Sequence, residues 1–117
     1  MARDAGLEAL VREHLDEAQG GASGLSEKPM FGGLACMLDG HLLCGASDRG
    51  LMARLGKGQD AWALAHPQIE PLRAGRPLPG WIIAAEDVWS DDALRARLLD
   101  AALAFVRGLP GKRPDLA

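Results

Sequence analysis

The sequence predicts a single α+β domain: an antiparallel β-meander sheet with amphipathic N- and C-terminal helices packed on it. Three observations lead there. Helical periodicity dominates two long segments near the ends, short apolar runs separated by tight-turn residues fill the middle, and the strands are grouped rather than alternating with helices. The 117 residues suit one domain, 1–117, long enough to bury most of the apolar surface of the unfolded chain.

From Asp4 to Ala18, apolar residues at Leu7, Leu10, Val11, Leu15 and Ala18 share one face of a helix, with Arg12, Glu13, Asp16 and Glu17 elsewhere. Gly20-Gly21 should end it. A strand pattern begins near Lys28. Asp39-Gly40 then separates the runs Leu34 to Leu38 and Leu42 to Ala46, and this dipeptide suits the positive backbone angles of a two-residue hairpin turn. Ser47 to Gly50 makes a second turn, after which Leu51, Ala53 and Leu55 alternate as a third strand. Gln59 to His66 reads as a short helix with Trp62 and Ala65 inward, stopped by Pro67. Pro71 to Gly80 holds three prolines and two glycines, so an irregular surface connection is expected before a strand at Trp81 to Ala85. Ser90 is the expected N-cap of a last helix whose stripe is Leu94, Leu98, Ala102 and Phe105.

Charge and chemistry exclude more than they assign. A formal net charge of −3 provides no general attraction to nucleic acid or anionic membrane. The N-terminus interleaves charges with its leucines and offers neither a secretory signal nor a span, so a cytoplasmic address is expected. The two cysteines then read as thiols. With a two-residue turn at Asp39-Gly40, Cys36 faces Leu43 and Cys44 faces Ala35, which puts the thiols on opposite faces of the sheet. A loop one residue longer would put both on one face. Each is read as a buried structural thiol, because neither is flanked by a base or cation that would hold a thiolate.

His14 lies on the apolar helix stripe and reads as a hydrogen-bonded, partly buried side chain. His41 sits at a turn and His66 at a helix end. No metal-ligand spacing connects them, and neither metal nor cofactor is expected. Gly32-Gly33 runs into a strand rather than a helix, so a bulge or a close backbone approach is a better reading than a phosphate cradle. Asp91 and Asp92, like Asp4 and Glu8, are read as helix-start charges or solvated faces. Among the cations, Lys28, Arg54, Arg73 and Arg76 stand beside rigid elements, where guanidinium forks suit carboxylates and phosphates.

The segments "KPMFGG" from Lys28, "LACMLDGHLLCG" from Leu34, "LMARL" from Leu51 and "GRPLPGWIIA" from Gly75 resemble the N-terminal domain of the TfoX/Sxy family, bacterial proteins associated with regulation of natural competence. The resemblance implies a twisted antiparallel sheet, no catalytic residues to carry over, and a stand-alone domain without the C-terminal domain of longer members. The leading expectation is a non-enzymatic regulatory or adaptor domain with an unidentified protein partner. Its candidate surface is Lys28, Met30, Phe31, Gly32, Gly33, Arg54, Arg76 and Trp81, aromatic and cationic residues on a rigid scaffold. The alternative is a binder of a small anionic ligand or nucleic acid through a basic patch of Lys28, Arg54 and Arg76. Direct nucleic-acid binding and membrane contact are not expected, and a homo-oligomer is left open.

Overall fold

The computed structural model describes residues 4–19, 24–30 and 32–109. The elements run α1 (Ala5–Gln19), β1 (Leu25–Met30), β2 (Gly33–Leu38), β3 (His41–Ser47), β4 (Gly50–Arg54), α2 (Ala61–Leu64), β5 (Ile69–Arg73), β6 (Pro77–Ala84), α3 (Glu86–Trp89) and α4 (Asp92–Arg107). One six-stranded sheet has the order β1-β2-β3-β4-β6-β5, and every pairing is antiparallel. This is the expected α+β architecture, with the meander extended by one strand at one edge and two at the other.

The period of two sorts the strand residues. Leu34, Cys36 and Leu38 of β2, Cys44 and Ala46 of β3, Leu51 and Ala53 of β4, and Ile82 and Ala84 of β6 enter one core. All four helices contribute to it. Leu7, Val11 and Leu15 come from α1, Ala63 from α2, Val88 and Trp89 from α3, and Leu98, Leu99, Ala102, Leu103 and Val106 from α4. Two side-chain contacts tie α1 to α4: His14 Nε2 lies 2.7 Å from Asp100 Oδ1, and Arg107 Nη2 donates to the Ala18 carbonyl at 3.1 Å.

The turns follow their residues. Asp39 and Gly40 have φ of 53° and 84°, the two positive angles of a type I′ hairpin. In the next turn the Ser47 hydroxyl accepts from the Arg49 amide at 3.1 Å. Gly33 has no room for a side chain, because a Cβ there would overlap the Ala46 carbonyl oxygen and the Ser47 Cβ. The close backbone approach expected of the glycine pair is therefore found at Gly33.

Five expectations are corrected. Leu38 pairs with His41 and Met37 with Leu42, but a β-bulge follows, and Cys36 pairs with Cys44 rather than with Leu43. Leu43 is the extra residue, and it shifts the side-chain alternation of β3 by one. The two thiols consequently share the core face as direct cross-strand neighbours. Pro71 to Gly80 is not an irregular connection but the β5–β6 hairpin. Pro71 lies on the edge strand, where its missing N–H costs no ladder bond. Pro77 and Pro79 lie beyond Trp81, the residue at which β4 stops pairing with β6.

The cap of α4 is Asp91, not Ser90. Its carboxylate accepts from the Ala93 and Leu94 amides at 3.0 and 3.1 Å, while Ser90 closes the short helix α3. The buried stripe of α4 is also rotated relative to the expected one. Leu99, Leu103 and Val106 join Leu98 and Ala102, whereas Leu94 and Phe105 are only half-buried. On α2, Ala63 rather than Ala65 faces inward.

Candidate functional site

The opposite face of the sheet lies outside this core. One cross-strand row on it runs Lys28, Ala35, Gly45, Met52, Ile83 and Glu70. Gly45 leaves space on this face, and the Met52 Cε fills the place a Cβ would take. The result is a low apolar strip with a charge at each end.

The register places Arg54 of β4 opposite Trp81 of β6 on this face. The Arg54 guanidinium carbon stands 5.9 Å from the Trp81 ring centroid and 5.4 Å from that of Phe105 on α4. One guanidinium Nη1 also donates to the Leu42 carbonyl at 3.3 Å. Gly80 sets this geometry from behind. With φ of 83°, it turns its carbonyl to accept from the Leu55 and Gly56 amides at 2.7 and 3.2 Å. A Cβ on Gly80 would lie 2.5 Å from the Gly56–Lys57 backbone.

Phe105 leads round the end of the sheet into a groove of about 500 Å³ between α2 and α4, lined by Leu55, Lys57, Trp62, Ala101 and Phe105 among others. Arg97 stacks on Trp62 at 4.0 Å from the ring centroid. Two arginines, Arg54 on Trp81 and Phe105 and Arg97 on Trp62, thus flank one apolar groove, and all three rings are half-buried and keep area available for contact. A separate cleft of about 370 Å³ opens between α1 and β1.

Of the sequence-predicted residues, the structure brings Arg54 and Trp81 together. Lys28 is exposed on edge strand β1 and Met30 is half-buried opposite Gly33; Gly32 is exposed at the β1–β2 turn, and Phe31 lies outside the described residues. Arg76 is exposed in the β5–β6 turn, at the other edge and the other end of the sheet. Lys28 and Arg54 are three strand spacings apart, about 14 Å. Lys28, Arg54 and Arg76 therefore do not converge on one anion-sized patch. Trp62, Arg97 and Phe105 were not read as site residues. Trp62 and Phe105 have the spacing of core positions, and only the docking of α2 beside α4 shows that they flank a groove.

His14 is hydrogen-bonded as expected, to Asp100, and His66 Nδ1 accepts from the Gln68 amide at 3.1 Å. Among the described residues, no group of three or more His, Cys, Asp or Glu is placed to hold a metal ion, and no helix is long and apolar enough to cross a membrane. The family model of the TfoX N-terminal domain matches residues 17–106. No curated protein and no solved structure matches the chain.

Proposed function

The chain belongs to the TfoX N-terminal domain family, and from that premise we propose that it is a non-enzymatic, cytoplasmic regulatory or adaptor domain that binds another protein, with a link to competence regulation. The observation that carries this reading is the Trp81–Arg54–Phe105 cluster beside the Trp62 groove. Tryptophan and arginine dominate the energetics of protein interfaces when they are held rigidly beside an apolar recess. Arg54 is held by a backbone carbonyl and two rings, so it loses little freedom on binding.

The edges of the sheet argue for contact through this face and groove rather than by strand addition. Edge strand β1 carries Glu27, Lys28 and Pro29, and edge strand β5 carries Glu70, Pro71 and Arg73. Charge and proline both discourage an added strand.

The test is affinity capture from nuclease-treated native extract with the wild-type chain and Trp81→Ala side by side, combined with DNA anisotropy. A protein retained at moderate salt by the wild type and lost by a folded Trp81→Ala is the expected result. Sub-micromolar binding to single- or double-stranded DNA that persists at near-physiological salt would overturn it in favour of an anionic-ligand or nucleic-acid binder.

A further inference from the structure

The bulge in β3 does more than correct a register. It places Glu27, Cys36, Cys44 and Ala53 in one cross-strand row on the core side of the sheet. Directly opposite residues of an antiparallel ladder have Cα atoms about 4.5 or 5.5 Å apart, inside the range of about 4.4–6.8 Å that a disulfide needs. Both cysteines are free, buried thiols.

The pair is asymmetric. Cys36, itself buried at 3 % exposure, forms the floor of the cleft between α1 and β1 together with Arg12, Leu15, Leu25 and Glu27, whereas Cys44, at 1 %, lies behind it and does not line the cleft. The charged groups around the cleft come from both walls. Glu8 and Arg12 come from α1 and Glu27 from β1, with Arg12 Nε and Nη2 donating to the two Glu27 oxygens at 2.9 and 3.0 Å. Asp16 stands at the same rim.

We propose that Cys36 and Cys44 form a reversible dithiol–disulfide site, in which Cys36 attacks a small disulfide that enters the α1–β1 cleft and Cys44 resolves the adduct. The Cys36 thiolate attacks one sulfur of R–S–S–R, forms Cys36–S–S–R and expels RS⁻. Cys44 then gives up its proton and attacks the Cys36 sulfur, forming Cys36–S–S–Cys44 and expelling the second RS⁻. Two electrons pass from the protein to the small disulfide, which leaves as two molecules of RSH carrying the two protons.

The electrostatics assign the same order. The hydrogen bond from Cys44 lowers the Cys36 thiol below its ordinary range against the opposing effects of burial and of the Glu27 and Glu8 carboxylates, with the Arg12 charge assisting. The same hydrogen bond, with burial, holds Cys44 well above it. Cys36 is the better attacking thiolate and Cys44 keeps its proton until the adduct has formed.

The experiment incubates the reduced full chain with glutathione disulfide under native conditions and follows intact mass and peptide maps. The wild type should lose two hydrogens, show a Cys36–Cys44 bridge within a monomer, retain no glutathione, and return to the starting mass with a reducing thiol. Cys44→Ser should hold one glutathione on Cys36, and Cys36→Ser should take up none. Should Cys44→Ser fail to fold, alkylation quenches at early times on the wild type should trap the Cys36 adduct instead. A stable mixed disulfide on the wild type, a bridge between chains, loading of Cys44 in Cys36→Ser at the wild-type rate, or reaction only at urea concentrations that unfold the chain would each overturn the proposal.

Discussion

Gly75 and Gly80 have almost the same backbone angle, φ of 80° and 83°, in different surroundings. A Cβ on Gly75 would meet nothing within 4 Å, whereas one on Gly80 would meet the Gly56 carbonyl carbon and the Lys57 nitrogen at 2.5 Å. Replacing each by alanine therefore separates backbone strain from close approach. Gly75→Ala incurs only the positive φ, about 1–2 kcal/mol. Gly80→Ala incurs the same strain and must also push two backbone segments apart, an overpacking cost of about 1–3 kcal/mol. That displacement loosens the hydrogen bonds from Leu55 and Gly56 to the Gly80 carbonyl, each contributing about 1 kcal/mol. The expected loss for Gly80→Ala is then about 3–5 kcal/mol, against about 1–2 kcal/mol for Gly75→Ala. Urea unfolding followed by tryptophan fluorescence, with linear extrapolation, measures both. Losses within about 1 kcal/mol of each other would refute the account of Gly80 as a spacer between β6 and the segment after β4.

Three further outcomes are expected. Leu98→Ala, at a fully buried position, should cost about 2–5 kcal/mol, and Phe105→Ala, at the rim of the groove, clearly less in the same urea assay. Asp91→Ala should cost about 1 kcal/mol, while Ser90→Ala should leave the midpoint nearly unchanged, as read by thermal melts of both. Because Cys44 keeps a proton in the folded chain that the unfolded chain releases above about pH 8.5, stability should fall as pH rises past that value. Urea midpoints across alkaline pH should show a shallower decline in Cys44→Ala.

The elements with strong local signals were legible. The spacing of Leu7, Val11 and Leu15 marks α1, Asp39-Gly40 marks the β2–β3 turn, and Leu51 and Ala53 mark β4. What escaped depends on neighbours in space. Leu43 looks like any other residue of an apolar run, yet as a bulge it reverses the faces of everything on β3 after it, the Cys44 thiol included. The prolines of the β5–β6 hairpin argue against strands until it is known that one strand is an edge and that β4 does not reach the proline-bearing end of the other. The site was half legible for the same reason. Arg54 and Trp81 were both singled out, but pairing them needs the β4–β6 register, and Trp62 and Arg97 meet only because α2 docks beside α4.

The family match begins at residue 17, within the last turns of α1. A fragment cut to those limits would lose Leu7, Val11 and Leu15, all buried against the sheet and α4. Each such side chain contributes about 1.5–3 kcal/mol, so their sum is comparable with the whole stability of an ordinary domain, about 5–15 kcal/mol. His14, the partner of Asp100, would go with them, and the wall of the cleft above Cys36 would lose Arg12. The unit recognisable by its residues is thus smaller than the unit able to fold. Any excised form meant to keep its shape has to start ahead of Asp4, whose carboxylate accepts from the Leu7 amide at 3.0 Å and begins the helix.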